Sequence, residues 1–137
     1  MLYMKVLVVD GQGGKLGKRI IEEIKGSMPD CFCYAVGTNS LATMNMQKGG
    51  ADVIATGENA VRVCSFDVDA IIGPVGIAIA DSLYGEITST IANAVACSKA
   101  YKILIPVNKC KNLIAGVSDM SIDYMIKDAV KILGKLS

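Results

Sequence analysis

The feature that most constrains this sequence is an alternation. Short, continuously apolar runs of strand length recur, separated by segments whose apolar residues repeat at helical spacing. Runs apolar on both faces are what parallel strands covered by helices on both sides require. The first unit shows the pattern. Val6-Leu7-Val8-Val9 is rich in β-branched residues and ends at Asp10-Gly11. Leu16, Ile20, Ile21 and Ile24 then share one helical face, with Lys18, Arg19, Glu22, Glu23 and Lys25 opposite. Gly26-Ser27-Met28-Pro29-Asp30 stops that helix.

Further strands are expected over residues 31–36, 52–55, 70–73, 102–106 and 113–117, about six in all. Helices are expected over 41–48, where Thr38, Asn39 or Ser40 supplies the cap, and over 60–65 and 88–99. The segment 88–99 is Ala- and Ile-rich nearly all round and should be well buried. A last helix carries Ile122, Met125, Ile126, Ala129, Val130 and Leu133 as one apolar stripe and should pack on the sheet edge. Together these predict an α/β fold: a three-layer, Rossmann-like, doubly wound parallel sheet of about six strands, in order 3-2-1-4-5-6, forming one domain over residues 1–137.

Composition excludes several classes of function. Fourteen Lys and Arg against thirteen Asp and Glu leave neither a basic nucleic-acid footprint nor a polybasic membrane anchor. The longest strongly apolar stretch, residues 70–80, is broken by Gly73, Pro74 and Gly76 and falls short of the roughly 20 residues a membrane helix needs. No export signal is visible at the start, so a cytoplasmic location is expected. The five cysteines, Cys31, Cys33, Cys64, Cys97 and Cys110, are scattered and come without any histidine, which points to reduced, mostly buried thiols and no metal site. The expected partner is a small nucleotide-like ligand, with a homodimer as the assembly.

Gly11-Gln12-Gly13-Gly14-Lys15-Leu16-Gly17 lies between the first strand and the first helix, where a dinucleotide fold sets backbone N–H groups and a helix N-terminus against a pyrophosphate. The usual G-x-G-x-x-G spacing is not met, because Gln12 stands where its first glycine belongs, but Gly11, Gly14 and Gly17 satisfy G-x-x-G-x-x-G. Alternatively these glycines serve only a tight turn and close helix-to-sheet packing. An ATPase loop is disfavoured, since Arg19 replaces the hydroxyl that would bind Mg²⁺. On the ligand reading, Gly14→Asp should abolish binding and leave the fold largely intact.

The cofactor is expected to be NAD(P) or another nucleotide, held by Gly11, Gln12, Gly13, Gly14, Lys15 and Leu16. The acid that would bind an NAD ribose should follow about 20 residues later, yet Gly37-Thr38-Asn39 stands there, with no arginine nearby to favour NADP. Thr38 and Asn39 are ribose candidates, or simply turn and cap residues. Gly73, Pro74, Val75 and Gly76 should flank the same crevice across the switch point. Thr56, Glu58 and Asn59 after the third strand, and Asn108 after the fifth, are further candidates on the same face. Asp10 would repel a phosphate unless Lys15, Lys18 or a cation neutralised it, or it braces the loop by accepting N–H bonds. Asp10, Glu58, Asp81 and Glu86 are carboxylates able to do acid–base work, and Cys110 is a candidate nucleophile, but no catalytic set can be nominated.

Several strings, Val9-Asp10-Gly11-Gln12-Gly13-Gly14, Gly37-Thr38-Asn39-Ser40-Leu41-Ala42-Thr43, Gly50-Ala51-Asp52, Ala55-Thr56-Gly57-Glu58-Asn59-Ala60, Gly73-Pro74-Val75-Gly76 and Ile105-Pro106-Val107-Asn108, resemble an uncharacterised family of small bacterial Rossmann-like proteins, a domain of unknown function. The likeness spans nearly the whole chain and implies fold and lineage without an activity. The first strand-turn-helix, through Gly11 to Lys18, also resembles the nucleotide-binding turn of dihydrodipicolinate reductases, whose catalytic domain and histidine motif are missing here. Three functions stay open: a nucleotide- or dinucleotide-binding protein that is a small NAD(P)-dependent oxidoreductase or a subunit of one; a non-catalytic metabolite sensor or assembly module; and a small phosphoester hydrolase or transferase.

Overall fold

In the computed structural model, residues 3–107 and 111–137 are described. Strands β1 (Lys5–Asp10), β2 (Phe32–Gly37), β3 (Val53–Thr56), β4 (Ala70–Pro74) and β5 (Tyr101–Ile105) form one sheet, all pairs parallel, in the order β3-β2-β1-β4-β5. The central strand is β1, with Val8 paired to Ala35 on one side and Ile72 on the other. Side chains alternate across a strand. Val6 and Val8 therefore enter one core and Leu7 and Val9 the other. Being buried on both sides is why this strand reads as an unbroken apolar run.

Helices α1 (Lys15–Ser27), α2 (Ser40–Lys48) and α5 (Ile122–Gly134) cover the Val6 face with Ile20, Ile21, Ile24, Met46, Ile126, Ala129, Val130 and Leu133. Helices α3 (Glu58–Cys64) and α4 (Ser89–Cys97) cover the other with Val61, Ile91, Ala92 and Val95. Fully burying an aliphatic side chain of this size contributes about 1.5–3 kcal/mol, so the two clusters supply most of the driving force. The chain order crosses from β3 over to β4 through α3, which puts the topological switch between β1 and β4. This is the expected three-layer, doubly wound arrangement.

Two expectations are corrected. No sixth strand forms over residues 113–117: Leu113 is 93% exposed and Gly116 takes a left-handed φ of 82°. Of that segment, Ile114 and Val117 turn toward β5 and line an apolar hollow between β5 and α5. Helix α4 is not buried all round, since Asn93, Ala96 and Cys97 face outward. The last helix does pack at the sheet edge, against β5 and α1. Among the described residues, Cys31 and Cys33 lie in the core, Cys64 is half-buried and Cys97 exposed. No helix among the described residues is long and apolar enough to cross a membrane.

Candidate functional site

The glycine turn is built around Asp10, the last residue of β1. Its side chain is buried, and its two oxygens accept separate backbone N–H bonds, Oδ1 from Gly11 at 2.8 Å and Oδ2 from Gly17 at 2.7 Å. One carboxylate thus pins both ends of the turn. Burial pushes the Asp10 carboxyl above its ordinary value, the two N–H bonds pull it back in part, and the charge of Glu86 pushes it up again. Of the two roles open to Asp10, bracing the loop is the one the geometry displays.

Each glycine of the motif answers to a different neighbour. Gly14 has φ 71°, and a Cβ there would lie 2.5 Å from the Ala42 Cα of α2. At Gly17 a Cβ would meet the Met46 Sδ at 2.6 Å and the Asp10 Cβ at 2.9 Å. These two positions let α1 approach α2 and β1, which is the packing role. Gly13 differs: the nearest atom to its Cβ position is Lys15 Cγ at 4.0 Å, so it faces open space. The N–H groups of Gly14 and Gly17 are taken, by the Gly11 carbonyl and by Asp10. Those of Lys15 and Leu16 belong to the first helical turn, which has no partners within its helix. Both residues, with Gly13, line a shallow hollow of about 330 Å³ formed by residues 10–16.

The end of β2 meets the turn at Gln12, outside the lining of that hollow. Asn39 caps α2, its Oδ1 accepting the Ala42 N–H at 2.9 Å, so its cap role is real. Its Nδ2 donates to the Gln12 carbonyl at 3.0 Å and also to Oε1 of Glu86 at 3.0 Å. That same Glu86 oxygen accepts from Thr38 Oγ1 at 2.5 Å and from the Gln12 N–H at 2.9 Å. A carboxylate therefore does stand at the end of β2, supplied by the segment between β4 and α4. Partial burial raises the Glu86 carboxyl, but the three donors outweigh it and hold it below its ordinary value. With the folded pKa depressed, the contact contributes fully above the ordinary value of 4.5 and is lost as pH falls through the lower folded value. The Gln12 amide proton is expected to report this in an NMR titration, with a midpoint below 4.5; a midpoint at or above that value would remove the contact from the account.

The remaining candidates make other contacts. Gly73 and Pro74 are buried in β4, where a Cβ on Gly73 would stand 2.3 Å from the Val9 carbonyl oxygen. The close approach at Gly73 is strand to strand. Val75 and Gly76 start a 3₁₀ turn, and Val75 lines the hollow beside β5 rather than the glycine turn. Leu83 and Glu86 are what face Gly11 from that side, 3.0 Å from its Cβ position. Thr56 hydrogen-bonds Thr43, Glu58 accepts from Thr88, and Asn59 accepts from Arg62, so none of the three reaches the Glu86 cluster through these bonds. Asn108 and Cys110 lie outside the described residues. Among the described residues, no group of three His, Cys, Asp or Glu gathers as a metal site.

The model of a domain of unknown function, DUF3842, matches residues 5–137. The chain belongs to this family. No curated protein sequence matches it. One solved structure similar to this DUF3842 chain is that of a dodecameric FMN-dependent UbiX-like decarboxylase from Escherichia coli O157:H7. It is 20% identical with a TM-score of 0.48, and the match covers 96% of this chain and 76% of the other. The family assignment agrees with the resemblance carried by the six sequence strings.

Proposed function

We propose that the crevice between the glycine turn and the end of β2 binds a phosphate-bearing nucleotide or dinucleotide, of which NAD(P) is the leading class. One observation carries this: Gln12 N–H, Thr38 Oγ1 and Asn39 Nδ2 converge on a single anionic oxygen. Donors from the glycine turn and from the adjacent Thr38 and Asn39 meet at one acceptor. Helix N-termini favour anions through their unpaired N–H groups and their dipole. The N–H groups of Gly13, Lys15 and Leu16 and the exposed Lys15 ammonium would take the phosphates. Thr38, Asn39 and Gln12 would face the sugar. A bound nucleotide would supply the redox or group-transfer chemistry. The described residues at the crevice bind and orient, and their two carboxylates are already engaged by N–H and O–H donors.

The test is thermal unfolding with NAD, NADH, NADP, NADPH, FAD, FMN, ADP, S-adenosylmethionine and coenzyme A in millimolar excess. A ligand at about 100 times its Kd stabilises by roughly 2.7 kcal/mol, which moves the midpoint of a domain this size by several degrees. At least one compound is expected to do so, and the shift is expected to vanish in Gly13→Asp, where the open position accepts the side chain and its carboxylate covers the free donors. A midpoint unmoved by every compound would reject the nucleotide site.

A further inference from the structure

We propose that Glu86 is a tethered anion that occupies the polar end of the crevice and is displaced when an anionic ligand binds there. The inference rests on the nucleotide-binding function proposed above and adds to it a gate.

The first argument is the donor arrangement. Three donors from two segments, Gln12 of the glycine turn and the adjacent Thr38 and Asn39 after β2, meet Glu86 Oε1 at 2.9, 2.5 and 3.0 Å. These are the donors that would face the sugar of a nucleotide whose phosphates lie on Gly13, Lys15 and Leu16. Glu86 holds their place. The second argument is charge. Glu86 and the buried Asp10 already repel each other across the turn. A phosphate brought onto Gly13, Lys15 and Leu16 would add a third negative centre, and like charges in a partly desolvated site disfavour one another strongly. The Glu86 carboxylate is the one that can move, because Asp10 is pinned at both oxygens inside the fold.

The third argument is the segment that carries it. Residues 81–87 form a small closed loop in which the Asp81 N–H donates to the Ile87 carbonyl at 2.7 Å and the Ile87 N–H to that of Ser82 at 3.1 Å. Within it Asp81, Leu83 and Tyr84 hold left-handed φ values of 66°, 56° and 56°. Non-glycine residues rarely adopt this region, and it persists only where surrounding contacts impose it. Ser82, Leu83 and Ile87 are buried beneath the loop and Glu86 points to the glycine turn, while Tyr84 at the tip is 96% exposed. Releasing Glu86 removes the polar anchor and leaves the buried Ser82, Leu83 and Ile87 to hold a segment already in unfavourable geometry.

Isothermal titration of wild type and Glu86→Gln with inorganic pyrophosphate and with ADP tests the gate, with hydrogen exchange of residues 79–88 followed alongside. Glutamine keeps the size and removes the charge. Glu86→Gln is expected to bind both probes at least about tenfold more tightly, the loss of a charged competitor being worth that much or more. In wild type, ADP is expected to speed exchange in residues 79–88. Equal binding by the two proteins, or slower exchange on adding ADP, would overturn the gate while leaving the nucleotide site standing. Weaker binding by Glu86→Gln would overturn it in favour of a carboxylate that holds the ligand itself. If neither protein binds either probe, the gate fails, while the nucleotide site stands or falls by the unfolding test with the full set of compounds. Glu86→Ala, measured for stability by urea unfolding, controls for loss of fold.

Discussion

Gly14→Asp is expected to leave the protein unfolded rather than merely unable to bind. The reason is geometric. Gly14 combines a left-handed φ of 71° with a Cβ position 2.5 Å from the Ala42 Cα and 2.7 Å from its carbonyl oxygen. A left-handed backbone costs a non-glycine residue roughly 1–2 kcal/mol before any contact is counted. The contact is larger, because the obstacle is the backbone of α2 and cannot rotate away as a side chain would. Opening the gap means withdrawing α2 from α1, which strips Met46 from the core it shares with Ile20, Ile21 and Ile24. Sums of this kind reach about 5 kcal/mol, comparable with the whole stability of an ordinary domain. Circular dichroism and urea unfolding of Gly14→Asp, Gly14→Ala and Gly13→Asp should separate the effects. Both Gly14 variants are expected to lose most of their cooperative transition, and Gly13→Asp to keep its midpoint within about 1 kcal/mol of wild type, the range of surface substitutions being near that size. A folded Gly14→Asp would show that α1 and α2 tolerate separation. For the same reason, the ligand-site test that the glycine motif invites at Gly14 belongs at Gly13.

That shift of one residue shows where sequence reading ran out. The strand-turn-helix was legible because β1 is buried on both faces, so its apolar run had no polar interruption, and because the α1 stripe repeats at helical spacing. The glycine motif was legible as a turn. Which glycine serves packing and which faces solvent depends on Ala42 and Met46, which approach only once α2 is folded back on α1. The segment 113–117 reads as a strand by apolarity alone, but its left-handed Gly116 and its two inward residues make it a covering loop. Glu86 was visible only as one carboxylate among several. Its place beside Gln12 spans 74 residues of sequence and depends on left-handed Asp81, Leu83 and Tyr84, conformations that no residue preference announces. A carboxylate absent from the sequence after β2 is brought beside Thr38 and Asn39 by the fold.

Asp10 carries the second large effect. Asp10→Ala removes the acceptor of two N–H groups at the base of the turn, those of Gly11 and Gly17, and each buried donor left without a partner costs about 1–3 kcal/mol. The opposing term is the burial of a charge: the Asp10 carboxyl lies above its ordinary value, so its ionised form is less favourable here than in water. The two donors should win, leaving Asp10→Ala about 3 kcal/mol less stable at neutral pH. Asp10→Asn should cost about 2 kcal/mol, since one amide oxygen serves one N–H while its NH₂ confronts the other. The sign of the pH dependence follows from the raised pKa. Between the unfolded value of 3.8 and the higher folded value, the native state binds more protons than the unfolded one, so this group's contribution to stability declines as pH rises through that window. Asparagine has no such slope, and the measured cost of Asp10→Asn is therefore expected to be greater at pH 4 than at pH 7. Urea unfolding of both proteins at the two pH values gives the comparison. An Asp10→Asn variant as stable as wild type at pH 7 would mean that a single amide oxygen serves the turn as well as two carboxylate oxygens, and the glycine turn would then keep its shape through Gly14 and Gly17 packing.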